Sequence, residues 1–170
     1  MLGDPKLIKE HRYPHNIALL RGVRQEGFPT ALATQSHREQ ARRVLGILGL
    51  DDEFDVVVTR DDVEHGKPDP EMHRLAAREL GFEAGECLAI EDSPAGVQGA
   101  LAAGMEVVAV TTSLTRQRFR DTDLLDRCHV VDDPRTLPKV VHRLTGIAGK
   151  PPQSIHERRA RGVVEEGPGT

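Results

Sequence analysis

The stretch Cys87-Leu-Ala-Ile-Glu-Asp-Ser-Pro-Ala-Gly-Val-Gln-Gly-Ala100 decides the fold of this chain. Its first four residues are apolar, as in a buried strand, and the carboxylates of Glu91 and Asp92 follow where that strand ends. Ser93 then fits the N-cap of a helix whose first position is Pro94, where a missing N–H costs nothing. This order of elements predicts the edge of an open parallel sheet, where ligands bind. Two carboxylates beside a helix N-terminus suit a divalent cation and a phosphate.

The same alternation of strand and helix extends in both directions from this stretch. Ser36 and Glu39 are spaced as a capping box, and Gly49 follows the apolar stripe of that helix. Strands that alternate with helices of this length predict βαβ units, and therefore an α/β fold with helices on both faces of a parallel sheet. The predicted strands cover residues 29–34, 55–59, 87–90, 106–111 and 129–131, and the predicted helices cover 15–26, 36–49, 69–81, 94–103 and 134–144.

Length and composition predict one domain with an aliphatic core. The chain has 170 residues, of which 38% are hydrophobic and 3% aromatic, with no Trp. We expect a short polar segment at 1–11, the core domain at 12–145, and a mobile tail at 146–170, where the strand–helix pattern stops. The core domain is then long enough to bury the apolar strands.

Charge and hydropathy narrow the class of partner. The net charge is −4 and no long basic stretch occurs, which argues against nucleic acid as a partner. No apolar run approaches the ~18 residues of a membrane helix, and the N-terminus turns polar at once, so a cytoplasmic protein without a membrane partner is the expectation.

Cys87 and Cys128 lie in apolar runs without a C-x-x-C motif, which favours buried thiols in a reducing compartment.

Three predicted strand ends carry polar groups that suit phosphate chemistry. Thr34 ends one strand just before the helix start at Ser36, where free N–H groups can hold a phosphate oxygen, although both residues are also common caps. Lys67 lies in Gly66-Lys-Pro-Asp-Pro70, where two prolines stiffen the backbone, and its ammonium either neutralises a phosphoryl group or is an ordinary loop lysine. The acidic pair is the third group, and favourable interaction with the helix dipole is its plainer explanation.

In this order, the motifs resemble the haloacid dehalogenase (HAD) superfamily of phosphohydrolases, in particular its phosphoglycolate-phosphatase and β-phosphoglucomutase-like branch. That branch has a Thr or Ser at the end of its second core strand, a G-K-P-x-P loop, and an E-D-S-x-x-G motif followed by A-G-M. Thr34, the loop of Lys67, the run Glu91-Asp-Ser-Pro-Ala-Gly96 and Ala103-Gly-Met105 match these motifs. The resemblance spans about residues 12–145 and implies a Rossmann-like three-layer core.

The resemblance also implies roles for individual residues. Thr34 would hydrogen-bond the transferring phosphoryl group, and Lys67 would stabilise its charge and orient the nucleophile. Asp92, with help from Glu91, would bind Mg²⁺. Contact with substrate is implied for two further residues, Ser36 and His37.

One part of the family pattern has no match. The family's first motif, D-x-D-x-T/V, ends the first and central strand of the sheet, supplies the Asp nucleophile, and precedes a helical cap. Residues 1–11 are too few and too polar for that strand and cap, so we expect an incomplete core in which the strands ending at Thr34 and Glu91 pair directly, leave a gap or recruit another chain. Several acidic residues do not fit the motif: Asp4, Asp51, Asp52, Asp55, Asp61, Asp62, Asp132 and Asp133.

The expected function is therefore a Mg²⁺-dependent phosphatase or phosphomutase of small phosphorylated metabolites. Without the Asp ligand and nucleophile, the Mg²⁺ site is weakened and the chain by itself is expected to be inactive. The alternative is a non-catalytic HAD-like protein that binds phosphate or a partner, and the incomplete sheet makes self-association a further expectation. A receiver-like signalling domain also gathers acids and a lysine at strand ends, but in a different order along the chain.

Overall fold

A computed structural model describes residues 5–6, 14–126 and 129–145 of the chain. Short parallel strands alternate with helices, which confirms the predicted α/β class. The strands are β1 (Ala31–Ala33), β2 (Val56–Val58), β3 (Leu88–Glu91), β4 (Glu106–Val110) and β5 (Val130–Val131). The helices are α1 (Pro14–Gln25), α2 (Arg38–Leu48), α3 (Glu71–Leu80), α4 (Pro94–Ala103), α5 (Arg116–Arg120) and α6 (Leu137–Thr145), with 3₁₀ turns at Arg60–Asp62, Ala84–Glu86 and Pro134–Thr136.

The strands form two separate sheets. In the smaller sheet β1 pairs with β2, and Leu32 lies opposite Val57. In the larger sheet the order is β3-β4-β5, and Ile90 lies opposite Val108. Within the described residues β1 and β3 do not pair, so the first of the three expected arrangements, direct pairing, does not occur. A gap separates the two sheets where the resemblance places a central strand.

Strand β4 is the centre of the apolar core. Its residues Val107–Val110 are at most 3% exposed, because helices cover both of its faces. Val97 and Ala100 of α4 pack on one side with Phe119, and Leu137 and Val141 of α6 pack on the other side with Val108. The larger sheet is therefore buried in the way expected of a parallel sheet.

Helix starts and stops follow the predicted signals with one exception. Ser93 caps α4 through its Oγ, which accepts a hydrogen bond from the Gly96 N–H at 3.2 Å, and the glycines predicted to end helices have positive φ. The capping box predicted at Ser36 is wrong: α2 begins at Arg38, and its N–H donates to Asp61 Oδ2 at 2.8 Å. A carboxylate is a stronger acceptor than a hydroxyl, so an acid distant in sequence replaces the local cap.

The remaining predictions on organisation are tested only in part. Cys87 is half-buried rather than a core residue, and burial, followed by the charge of Glu86, raises the pKa of its thiol to about 11. Cys128 and the predicted tail at 146–170 lie outside the described residues. Among the helices described, none has both the length and the apolar character needed to cross a membrane. The domain bounds stay a prediction.

Candidate functional site

The gap between the two sheets is an apolar cleft. Its volume is about 1210 Å³, and it is lined by β1 and β3 from the sheets and by α1, α3 and α6 from the surrounding layers. Leu32 of β1 and Ile17 of α1 line it and are only half-buried, and Ile90 of β3 is 41% exposed. Thr34, Lys67 and the acidic pair lie along the same cleft.

Lys67 connects the two sheets at one end of this cleft. Its Nζ donates to the carbonyl oxygen of Ala33 at 3.1 Å and to Glu91 Oε1 at 2.5 Å. Ala33 is the last residue of β1 and Glu91 the last residue of β3, so both strands end at the same edge of the molecule. The predicted meeting of the strand ends is therefore present, and an ammonium group bridges them.

A buried histidine joins this pair. His73 of α3 is 3% exposed, and its Nε2 lies 2.8 Å from the same Oε1 atom of Glu91. Sequence reasoning missed His73, because a single His among the apolar residues of a helix carries no signal of its function. His73 follows Lys67 by six residues, but this spacing indicates a shared partner only once the fold shows that the loop and the helix both face Glu91.

Opposing effects act on the pKa of Glu91. Burial raises it, but the hydrogen bond from His73 and the positive charge of Lys67 outweigh that effect, so the pKa lies below its ordinary value. The carboxylate is also confined sterically, because a Cβ on Gly96 of α4 would lie 2.0 Å from Glu91 Oε2. Glu91 is therefore an ionised side chain held between an ammonium, an imidazole and a helix backbone.

The segment after β1 supports the loop of Lys67. The Gln35 amide donates from Nε2 to the carbonyl oxygen of Lys67 at 3.2 Å, and a Cβ on Gly66 would lie 2.6 Å from Gln35 Oε1. Thr34 continues the pairing of β1, and its Oγ1 accepts from the Ser36 N–H at 3.1 Å. Gln35 is a second residue that the sequence did not single out, and it ties the threonine segment to the lysine loop.

The two members of the acidic pair differ in their surroundings. Asp92 is exposed and lies just before the N-cap of α4, where the positive end of the helix dipole favours a carboxylate. Glu91 Oε1 already accepts from two donors. Among the described residues, no group of three or more His, Cys, Asp or Glu side chains is placed to hold a metal ion. The role of Asp92 as a metal ligand therefore stays a prediction, whereas Glu91 is taken by Lys67 and His73.

Ser36 and His37 lie outside the lining of the cleft. Ser36 accepts from the Arg60 N–H through its carbonyl oxygen at 3.0 Å, and His37 Nδ1 lies 2.5 Å from Asp61 Oδ1. The ring of His37 is 73% exposed. Their assignment to substrate binding stays a prediction, because both residues hydrogen-bond to the Arg60–Asp61 segment and, within the described residues, neither hydrogen-bonds to Lys67 or the acidic pair.

The D-x-D spacing itself occurs once among the described residues, at Asp121-Thr-Asp123, and the sequence reasoning overlooked it. Asp121 is the C-cap of α5, and its Oδ1 accepts from Gln117 at 2.9 Å. It follows a helix and not a strand, so it does not place a nucleophile beside Lys67. The first family motif therefore has no match in the part of the chain that the structure describes.

Comparison with known proteins gives the class of this chain. Residues 6–104 match the family of haloacid dehalogenase-like hydrolases, and the chain belongs to that family. It is 39% identical over 112 residues to hexitol phosphatase A of Escherichia coli K12, which covers 66% of this chain and 51% of the relative. It is 36% identical over 107 residues to validoxylamine A 7′-phosphate phosphatase of Streptomyces hygroscopicus subsp. limoneus, covering 63% and 50%. The chain spans about half the length of these curated relatives.

Solved structures support the predicted branch. CbbY from Rhodobacter sphaeroides, solved with phosphate, aligns with a TM-score of 0.68 at 25% identity, over 78% of this chain and 60% of that one. A β-phosphoglucomutase from Clostridium difficile aligns with a TM-score of 0.65 at 26% identity, over 83% and 60%. The predicted phosphoglycolate-phosphatase and β-phosphoglucomutase-like branch is thus confirmed.

Proposed function

We propose that this chain carries the phosphate- and cation-binding part of a Mg²⁺-dependent phosphatase or phosphomutase for small phosphorylated metabolites. The observation that supports this most directly is the bridge from Lys67 to Ala33 and Glu91, because it brings the three predicted strand ends to one edge. Two relatives are named as phosphatases, one of a hexitol and one of validoxylamine A 7′-phosphate, and this chain is proposed to act on small phosphorylated metabolites as well. A cytoplasmic location is part of the proposal.

Each residue at this edge has a defined proposed role. Thr34 hydrogen-bonds a phosphoryl oxygen, and the ammonium of Lys67 offsets the charge of the phosphoryl group. Asp92 is the proposed ligand of Mg²⁺, which when bound polarises the phosphoryl oxygens. Glu91 was predicted to assist Asp92, but its two donors favour a role in holding Lys67 in place.

Calorimetry with Mg²⁺ and inorganic phosphate tests these roles. We expect the protein to bind both, and the variant Asp92→Asn to lose Mg²⁺ binding, because an amide oxygen replaces the charged ligand. The matched control is Asp52→Asn, which changes another exposed aspartate away from the cleft. Equal Mg²⁺ affinities for Asp92→Asn and the unaltered chain would contradict the assignment of Asp92.

Turnover requires a carboxylate nucleophile, and the carboxylate that the described residues place beside Lys67 is that of Glu91, which is already taken by Lys67 and His73. We propose that residues 1–170 by themselves do not hydrolyse phosphate monoesters, since covalent phosphoryl transfer needs that nucleophile. The cleft between β1 and β3 is where the resemblance places the strand that carries it. Incubation of the protein with p-nitrophenyl phosphate and Mg²⁺ measures this, and turnover at rates typical of enzymes would refute it.

The open cleft favours non-catalytic binding of an extended apolar polypeptide segment as a second candidate function. β1 and β3 both line the cleft and do not pair with each other, and within the described residues each has a partner strand on one side only, so each offers an edge to an added strand. The half-buried apolar lining suits alternating aliphatic side chains of such a segment. A second copy of this chain is one source of the segment.

Sedimentation over a wide range of protein concentration tests self-association. We expect Ile90→Lys, which places a charge in the cleft, to shift the protein toward the monomer. Leu101→Lys is the matched control, because Leu101 is 39% exposed but lies outside the cleft lining. A monomer at every concentration would remove the second copy as occupant, and equal effects of the two lysines would exclude the cleft as the contact.

A further inference from the structure

His73 has two ring nitrogens in very different surroundings. Nε2 lies 2.8 Å from Glu91 Oε1, whereas Nδ1 is buried and has no hydrogen-bond partner among the described residues. An ionised carboxylate only accepts hydrogen bonds, so the contact requires a proton on Nε2. A proton on Nδ1 would leave a buried donor unsatisfied, which costs more than an unused lone pair. The surroundings therefore select the tautomer with the proton on Nε2.

Helix α4 confines the imidazole ring as well as the carboxylate. A Cβ on Gly99 would lie 3.2 Å from His73 Nδ1, and a Cβ on Gly96 would lie 2.0 Å from Glu91 Oε2. Both glycines are buried. The backbone of α4 therefore lies close against the pair and restricts movement of either side chain away from the other.

The position of Lys67 depends on this arrangement. Its side chain is 9% exposed, and among the described residues its ammonium pairs with the Glu91 carboxylate and donates to the backbone carbonyl of Ala33. A carboxylate that turned about its side-chain bonds would carry the ammonium away from the end of β1. The hydrogen bond from His73 opposes that rotation, because it fixes the oxygen atom that Lys67 also uses.

We propose that His73 is a positioning residue, which fixes Glu91 through Nε2–H and thereby directs the Lys67 ammonium to the end of β1. This inference rests on the proposed function in one respect: the end of β1 matters because Thr34 is proposed to bind the phosphoryl group there. The geometry of the three side chains carries it independently of turnover.

Three variants separate positioning from packing. His73→Phe keeps a ring in the space but removes the hydrogen bond, His73→Gln keeps an amide donor of similar reach, and His73→Asn has a donor too short to reach Glu91. His15→Phe is the matched control, on the exposed face of α1. The first readout is the ¹H–¹⁵N signal of the Lys67 ammonium in ¹⁵N-lysine-labelled protein, assigned by its loss in Lys67→Met. The second readout is the affinity for inorganic phosphate with Mg²⁺.

We expect the ammonium signal to be present in the unaltered protein, in His73→Gln and in His15→Phe, and to be lost through faster exchange in His73→Phe and His73→Asn. Phosphate affinity should fall about tenfold in the latter two, as for the loss of one hydrogen bond to a charged group. An unchanged signal in His73→Phe, or in His73→Asn should the Phe variant not fold, would overturn the proposal, as would loss of the signal in His73→Gln.

The two proposals fail in different ways. If the unaltered protein does not bind phosphate but its ammonium signal responds to the variants as expected, the proposed function is wrong and the role of His73 stands. If phosphate binds but the signal is absent in the unaltered protein, Lys67 is not held, and the role of His73 is refuted.

Discussion

Different forces stabilise the larger sheet and the junction between the two sheets. In the larger sheet, β4 pairs with a neighbour on each side and its residues Val107–Val110 are almost wholly buried. Between the sheets, β1 and β3 share no backbone pairing, and the ion pair of Lys67 with Glu91 joins their ends. The larger sheet thus draws on many small contributions from burial, whereas the junction depends on a few charged side chains. The candidate site lies at the junction.

Removal of the ammonium is the strongest way to break the junction. Lys67→Met leaves the buried Glu91 carboxylate without its charged partner, and we expect a loss of about 4 kcal/mol in the free energy of unfolding. Lys139→Met, at an exposed lysine of α6, is the control and should change stability little. Urea unfolding followed by circular dichroism measures both, and near-equal values would show that the junction does not depend on this pair.

Steric crowding of the Glu91 carboxylate is a second way to weaken the junction. Gly96→Ala places a Cβ within 2.0 Å of Glu91 Oε2, so the side chain or the helix must shift, at a cost of about 3 kcal/mol. Gly22→Ala in α1 meets nothing within 4 Å and should be neutral or slightly stabilising. If both variants unfold at the same urea concentration, α4 does not confine Glu91 in solution.

A matched pair of truncations compares the two regions directly. Val108→Ala removes two buried methyl groups from β4 and should cost about 2 kcal/mol. Ile90→Ala removes more carbon from the 41% exposed edge of the cleft and should cost about 1 kcal/mol or less. Thermal or urea unfolding of the two variants gives the contrast, and a larger cost at Ile90 would mean that the cleft is filled in solution.

The pH dependence gives the smallest and most specific effect. The folded-state pKa of Glu91 lies below the ordinary value of 4.5, so its contribution to stability is present above that value and is lost as pH falls through the folded-state pKa. Glu91→Gln should therefore reduce the loss of stability between neutral and acidic pH. The pKa values of Asp55 and Asp62 are lowered as well, so the unaltered protein and Glu91→Gln should both still lose some stability at acidic pH. Identical pH profiles would exclude Glu91 as a contributor.

Local sequence patterns were sufficient for the larger sheet. The apolar run of β4 and the Ser93–Pro94 cap of α4 are decided by residues adjacent in sequence, so they could be predicted. The capping box at Ser36 was wrong because Asp61, distant along the chain, supplies a stronger acceptor. Predictions failed where a long-range contact replaced a local one.

The candidate site was predictable only in its residue types. Lys67 and the acidic pair were found from motifs, but the division of labour between Glu91 and Asp92 depends on which carboxylate reaches the lysine, and only the fold determines that. Gln35 and His73 were missed for the same reason, since both act through partners on other elements. The gap between the sheets was among the expected arrangements, because no part of the sequence matched the first strand of the family.

Gly99 shows a consequence for the interpretation of natural variants of this chain. A Cβ there would lie 3.2 Å from the carbonyl oxygens of Pro68 and Asp69, and equally close to His73. A change to alanine adds no charge, removes no reactive group and raises helix propensity, so substitution scores based on chemical similarity would rate it as mild. Its position under the lysine loop instead requires the loop backbone or His73 to shift by a few tenths of an ångström, beside the group that holds Lys67, and a screen that weighs only side-chain chemistry would overlook that shift.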